Sequence, residues 1–323
     1  MEALFKVEGL KKYYDLGRRQ ILHAVDDVSF ELYEGENLGV VGESGSGKST
    51  LGRCLIGLIE PTGGTISYRG TDISRLKARD AKALRKEMQM VFQNPSSSFN
   101  PKKTLGKVLS DIARFYGLSA PEARARIDEL LGYVNLDRHE LRARSNGLSG
   151  GQLQRLALVR ALLPDPKFIM ADEPVSALDV SVQAQILALF NDMKTKFGLT
   201  MLFISHELTV VEHVCDRVIV MYLGRIVEMA PTKALFASPL HPYTRSLLAS
   251  KPKEYPEEEK HYELLEGEIP TAVGDAQGCR FASRCPRAIV GRCATTCPPL
   301  VEVAPDHWVS CLLVEHRGGY DAL

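Results

Sequence analysis

The sequence predicts an α/β fold. A core sheet carries a glycine-rich phosphate loop, with an antiparallel β-subdomain, a helical insert and a small cysteine-rich C-terminal domain around it. Three observations predict this. Gly42-Glu43-Ser44-Gly45-Ser46-Gly47-Lys48-Ser49-Thr50 fits the P-loop pattern G-x-x-x-x-G-K-S/T without a mismatch. Phe168 to Glu173 is an apolar strand that ends in two carboxylates. Residues 251–263 are rich in Lys, Glu and Pro and poor in apolar residues, so they read as a linker dividing the chain into 1–250 and 251–323.

The glycine loop has the local setting that its chemistry needs. Asn37 to Val41 reads as a short buried strand and Lys48 to Gly57 as a helix. Gly42, Gly45 and Gly47 allow a tight turn in which several backbone N–H groups face one anion. The helix adds its unpaired N–H groups and the positive end of its dipole. Lys48 reaches the β- and γ-phosphates, and the Ser49 hydroxyl suits Mg²⁺. The bland alternative, a Gly/Ser-rich surface loop, does not explain a complete pattern in this context.

The bulk composition is that of an ordinary globular chain: 323 residues, 45% hydrophobic and 25% charged. The 40 basic and 40 acidic residues balance to a formal net charge of zero, which gives no ground for a nucleic-acid-binding surface. No run of about eighteen apolar residues offers a membrane span. Met1-Glu2-Ala3-Leu4-Phe5-Lys6 lacks the order of a signal peptide. The expectation is a cytoplasmic chain that meets a membrane only through a partner.

Residues 4–10 and 21–32 alternate as strands do, with Gly17 in the turn between them. Tyr13 and Tyr14 end the first strand, where stacking on a base and ordinary sheet packing are equally good readings. Pro61-Thr62-Gly63-Gly64 forms a turn, Thr65 to Tyr68 a strand, and Met88 to Phe92 another. The last runs into a polar, Pro-bounded loop from Gln93 to Pro101. Helices follow at Thr104 to Tyr116 and Pro121 to Val134, the second opened by a Ser119…Glu122 capping box. Residues 94–147 thus read as a mainly helical insert, and the helical subdomain extends to about 157.

Leu148-Ser149-Gly150-Gly151-Gln152 then opens a helix to about Leu163, with Ser149 as N-cap. Its start is a second candidate anion site, although taken alone it reads as an ordinary helix start. Asp172 and Glu173 stand where P-loop proteins place a Mg²⁺-binding carboxylate. Ser176-Ala177-Leu178-Asp179 leads into the helix Val180 to Phe197. Thr200 to Ile204 is a strand with Ser205-His206 at its end. A lone His is usually structural, but this one falls on the sheet edge that carries the phosphate loop. Arg217 to Met229 reads as a hairpin turning at Leu223-Gly224, and His241-Pro242-Tyr243-Thr244 opens a short helix to Ala249.

There are seven cysteines. Cys54 and Cys215 read as small core residues. Cys279, Cys285, Cys293, Cys297 and Cys311 crowd the C-terminal end, which in a reducing compartment points to metal ligation rather than disulfides. A segment too small for a large core gains from a metal staple. Trp308 is expected to pack against this region.

The phosphate loop, Gln93, Leu148 to Gln152, Phe168 to Glu173, Ser176 to Asp179 and His206 stand in the order seen in ATP-binding-cassette ATPases, which the chain resembles over about residues 4–250. Val91-Phe92-Gln93-Asn94-Pro95, Phe99-Asn100-Pro101, His241-Pro242-Tyr243-Thr244, Gly278-Cys279-Arg280-Phe281 and Arg284-Cys285-Pro286 resemble the dipeptide and oligopeptide importers. That subfamily also includes nickel and glutathione importers. Gly47-Lys48-Ser49-Thr50-Leu51-Gly52-Arg53 is similar to the second, F-type, of their two ATPase subunits.

The resemblance implies roles for single residues. Lys48 and the backbone of residues 42–50, Glu43, Ser44, Ser46 and Thr50 included, would hold the phosphates of ATP. Ser49, Gln93 and Asp172 would surround Mg²⁺. Glu173 would be the general base, and His206 would contact the γ-phosphate. Tyr14, with Tyr13 next, would stack on adenine. Ser149, Gly150, Gly151 and Gln152 would meet the γ-phosphate of ATP held by a partner chain, so that two chains sandwich each nucleotide. It also implies a 4Fe–4S cluster on Cys279, Cys285, Cys293 and Cys311, with zinc or no metal as alternatives and Cys297 a nearby free thiol. The implied partners are a second ATPase subunit in a heterodimer, two transmembrane permease subunits and, indirectly, an extracytoplasmic solute-binding protein. The implied location is the cytoplasmic face of the inner membrane.

Two departures are small. Leu153-Gln154-Arg155 replaces the commoner Arg-Gln-Arg, and Cys297 is an extra cysteine. A soluble cassette protein of DNA repair or translation would usually carry two cassettes or a long coiled-coil insertion, and neither is present.

Overall fold

A computed structural model describes residues 2–75, 78–249, 272–274 and 277–315, the side chains of 78–82 and of Glu315 excepted. The linker expected at 251–263 lies outside them. The chain divides into two compact units. The first comprises Met1–Tyr33, Asn37–Arg75 and Ser205–Leu323, and the second Glu34–Glu36 and Leu76–Ile204.

The first unit contains a 4-stranded antiparallel sheet, in the order Ile21–Tyr33, Ala3–Asp15, Gly63–Tyr68, Thr71–Asp72. Its alternating sequence buries Phe5, Val7 and Leu10 from one strand and Val28, Phe30 and Leu32 from the next. Asn37–Val41, buried throughout, pairs in parallel with Arg217–Tyr222. Burial of both faces explains why these strands read as continuous apolar runs. Arg217–Tyr222 turns at Leu223 and Gly224, both at positive φ, into antiparallel Arg225–Pro231. The helix Lys48–Leu55 follows the phosphate loop directly.

A further hairpin, Val301–Ala304 with His307–Val309, extends this sheet and was not visible in the sequence. Trp308 lies opposite Met229 and Val309 opposite Glu228. Glu228, fully buried, accepts hydrogen bonds from the backbone of Leu240 and His241, and its Oε1 lies 2.8 Å from His307 Nε2. The hairpin is thereby anchored by a buried acidic side chain whose hydrogen bonds offset the cost of burying it.

The second unit carries three parallel strands, Met88–Val91, Phe168–Asp172 and Thr200–Ser205, with Met88 opposite Phe168 and Asp172 opposite Ile204. Helix Leu105–Phe115 is capped by Thr104, one residue inside the expected start, and Ala120–Tyr133 begins at the expected cap Ser119, which forms the full capping box with Glu122. Helix Gly150–Leu162 buries most of its length, and Val180–Phe197 ends at Gly198 in the left-handed conformation. Helix Ala78–Glu87 was also missed, because its sequence, ARDAKALRKE, has too few apolar residues to show a helical period. Among the described residues no helix is long and apolar enough to cross a membrane.

Candidate nucleotide-binding site

In the first unit the phosphate loop wraps round the Lys48 ammonium. Lys48 is buried, and its Nζ donates to the carbonyls of Gly42 at 2.7 Å and Glu43 at 2.9 Å and to Ser46 Oγ at 3.4 Å. Two glycines make this curvature possible. Gly42 has φ 151°, and a Cβ there would lie 2.2 Å from the Met221 carbonyl oxygen. Gly47 has φ 100°, and its Cβ would lie 2.0 Å from the Ala24 carbonyl oxygen. Being glycine, Gly47 caps the helix Lys48–Leu55 with no side-chain hydrogen bond, so no cap side chain competes for its first N–H groups. Ser44 and Gly45 lie on the exposed outer turn of the loop, and Ser49 and Thr50 lie half-buried in the first helical turn.

The same unit carries the other aromatic and histidine candidates. Tyr13 donates from its hydroxyl to Asp26 at 2.5 Å and stacks on His23 with ring centroids 4.1 Å apart. Tyr14 is half-buried, as Tyr13 is, with Lys12 Nζ 5.1 Å from its ring centroid. His206 lies just beyond strand Thr200–Ser205 with its side chain 49% exposed, and its Nε2 is 3.9 Å from Glu207.

In the second unit Asp172 ends its strand buried, and Glu173 follows. Glu173 has φ 46°, a conformation that costs a non-glycine residue about 1–3 kcal/mol and that clusters at functional sites. Its N–H donates to the Ile204 carbonyl at 2.9 Å, and its carbonyl accepts from the Ser176 hydroxyl at 3.1 Å. Gln93 Nε2 donates to the Glu173 carboxylate at 2.9 Å, which brings together two residues selected from distant parts of the sequence.

The Ser149–Gln152 turn is a reciprocal capping box. Ser149 Oγ accepts from the Gln152 N–H at 3.3 Å, and Gln152 Oε1 accepts from the Ser149 N–H at 3.0 Å. Gly150 stays exposed, and a Cβ on Gly151 would lie 2.6 Å from Val182 Cγ1, so a side chain at 151 would have to displace Val182.

The sequence reading missed the partners of Glu43. The Glu43 N–H donates to the Tyr243 hydroxyl at 2.8 Å, and its carboxylate receives both Nη atoms of Arg284 at 2.7 and 3.0 Å. Arg280 donates to the Leu223 carbonyl and, at 2.5 Å, to Asp26, which Arg225 also engages at 2.8 Å. The available signal was a pair of arginines four apart, flanking apolar Phe281, inside a string already singled out.

The C-terminal thiols do not assemble as expected. All seven cysteines are unpaired by disulfides, and among the described residues no group of three or more His, Cys, Asp or Glu side chains could hold a metal ion. Burial pushes the Cys279 thiol up to about 11 and that of Cys311 up to about 12, which favours neutral thiols. Cys297 Sγ instead receives Arg225 Nη1 at 2.5 Å. The structure therefore lends the 4Fe–4S or zinc site on Cys279, Cys285, Cys293 and Cys311 no support.

A lysine-closed phosphate loop, an acid-terminated strand and a capped Ser-Gly-Gly-Gln helix start, on an α/β core, define an ATP-binding-cassette ATPase. Residues 25–176 match the ABC transporter family, and residues 227–293 match the oligopeptide/dipeptide transporter C-terminal region. A putative peptide import ATP-binding protein of Brucella ovis is 46% identical over 310 residues, covering 96% of this chain and 97% of that one. The oligopeptide transport ATP-binding protein OppF of Salmonella typhimurium is 42% identical over 327 residues, covering 97% of each. The solved ATP-binding cassette MJ0796, a dimer in a post-hydrolysis state with ADP and Pi, superposes with a TM-score of 0.65 at 29% identity, over 71% of this chain and 98% of its own. cbiO1 of Clostridium perfringens, part of the ABC transporter complex cbiONQ, gives a TM-score of 0.66 at 29% identity, over 73% and 92%. The chain belongs to the ABC transporter family, among its peptide and oligopeptide import ATP-binding proteins.

Proposed function

We propose that the chain is the energy-coupling subunit of an importer for dipeptides or oligopeptides, and that it binds and hydrolyses ATP to drive transport. The observation that carries the reading is the phosphate loop closed on buried Lys48. Lys48 and the backbone from Gly42 to Thr50 bind the phosphates. The oxygens of Ser49, Gln93 and Asp172 are the hard ligands that Mg²⁺ prefers, and the ion would neutralise phosphate charge. Glu173 accepts a proton from the attacking water, with Gln93 fixing its carboxylate. His206 contacts the γ-phosphate, and Tyr14 stacks on adenine.

In this reading two ATPase chains face each other. The exposed helix start at Ser149–Gln152 approaches the nucleotide held by the other chain. ATP stabilises the closed pair and hydrolysis releases it, a differential affinity that biases permease subunits between two states. The pair is a heterodimer with a second ATPase chain. It works on two membrane permeases at the cytoplasmic face, and a solute-binding protein delivers the peptide. No step passes through a metal on the C-terminal cysteines.

The test is Mg·ATP binding by the full chain and by Lys48→Ala. Loss of binding in the variant supports the reading, and wild-type affinity in it would sink it.

A further inference from the structure

We propose that Arg284 is a positioning residue for the phosphate loop: its guanidinium fork holds Glu43, and through Glu43 the C-terminal segment sets nucleotide affinity. The inference rests on the reading that residues 42–50 bind the polyphosphate. A carboxylate within such a loop repels the polyanion the loop must hold. Arg284 offsets this with a bidentate pair, Nη1 to Oε2 at 2.7 Å and Nη2 to Oε1 at 3.0 Å. A fork of this kind fixes the orientation of the carboxylate as well as neutralising its charge.

Glu43 is in turn a joint of the loop. Its N–H donates to the Tyr243 hydroxyl at 2.8 Å, and its carbonyl accepts from Lys48 Nζ at 2.9 Å. Any shift of Glu43 therefore moves an acceptor of the ammonium that faces the phosphates. The route from Arg284 to Lys48 passes through one residue.

Arg284 is built into this position. Its side chain is only 7% exposed, and its N–H donates to the Phe281 carbonyl at 3.0 Å in a tight turn. Phe281, 1% exposed, packs edge-on against Tyr222 at 5.2 Å and at a tilt against Tyr243 at 5.4 Å between ring centroids. Arg280 ties the other side of the same turn to Asp26 at 2.5 Å. The segment is thus fastened at two points, one of them the loop itself. Removing one member of a partly buried pair leaves the other uncompensated, so the pair has leverage that a surface contact lacks.

The experiment measures the Mg·ATP dissociation constant and the nucleotide-free melting temperature of the full chain. The proteins compared are wild type, Arg284→Ala, Arg284→Lys and the double variant Arg284→Ala with Glu43→Gln. Arg284→Ala is expected to bind Mg·ATP about tenfold more weakly, a change on the scale of one charge-assisted contact. Glu43→Gln removes the exposed charge, so the double variant should recover most of that loss. Recovery is the readout that a merely structural arginine would not give. Unchanged affinity in Arg284→Ala, or a loss that Glu43→Gln fails to recover, overturns the proposal. Should Arg284→Ala not fold, Arg284→Lys carries the test: weaker binding at an unchanged melting temperature supports the role, and unchanged binding refutes it. Wild-type binding in Lys48→Ala would instead remove the loop reading itself, whatever the Arg284 variants do.

Discussion

Gln93 and Glu173 are joined by a 2.9 Å hydrogen bond from the Gln93 amide to the Glu173 carboxylate. The bond matters because Glu173 is the residue proposed to take the proton from water. Its backbone at φ 46° turns the side chain away from the direction an extended strand would give it. The backbone sets where the carboxylate starts, and the amide sets where it ends.

Gln93→Ala should therefore lower turnover more than it lowers nucleotide affinity. A base released from its orienting partner loses roughly 10²-fold in rate when it is misplaced by about an ångström. Steady-state ATPase assays of the assembled transporter, paired with Mg·ATP binding, check this. Equal losses in the two measurements would assign Gln93 to binding instead.

Gly47→Ala should abolish nucleotide binding and leave the rest of the fold standing. An alanine Cβ would lie 2.0 Å from the Ala24 carbonyl oxygen at φ 100°, so the loop must move. Left-handed strain alone costs about 1–3 kcal/mol, before the clash is counted. Far-UV circular dichroism should stay near wild type while Mg·ATP binding disappears. Binding retained within about twofold, too little to register as 1 kcal/mol, would contradict the geometry.

Stability should fall on acidification through one buried histidine. His241 is buried, and desolvation lowers its pKa from 6.5 to about 4, against a smaller opposing influence of Glu228. Its Nδ1 accepts the Tyr243 N–H at 3.1 Å, which requires an unprotonated nitrogen. The folded pKa lies below the unfolded one, so this contribution is complete above about pH 6.5 and is lost as pH falls towards 4. At about 1.4 kcal/mol per unit the full loss is about 3 kcal/mol. Denaturant unfolding at pH 7 and pH 5, compared between wild type and His241→Asn, isolates it. The variant keeps an acceptor without the titration, so its stability should change less between the two pH values. An equal change in both proteins would assign the acid sensitivity elsewhere.

What the sequence made legible was local. The phosphate loop, the Ser119 and Ser149 capping boxes and the acid-terminated strand are each set by residues a few positions apart. The structure reproduces each of them within a residue or two. Pairings between distant loops were not legible. Arg284 and Glu43 lie 241 positions apart, and neither has a periodic pattern that points to the other. The Val301–Ala304 and His307–Val309 hairpin was missed for a related reason. Its strands are short, and the register that anchors it, Met229 opposite Trp308, is a long-range pairing. The cysteines are a separate case: the resemblance implied a ligand set there, and among the described residues no group that could hold a metal ion is found.

The most direct test of the central claim uses vesicles reconstituted with this chain, the second ATPase chain proposed to pair with it and two permease subunits. The measurement is ATP-dependent uptake of a labelled oligopeptide, with phosphate release followed in the same vesicles, for wild type and Glu173→Gln. The account predicts ATP-driven uptake by wild type. In Glu173→Gln it predicts retained ATP binding, with uptake and phosphate release both reduced by about 10²-fold or more. Wild-type uptake and hydrolysis in Glu173→Gln, or wild-type vesicles that hydrolyse ATP without moving peptide, would contradict it.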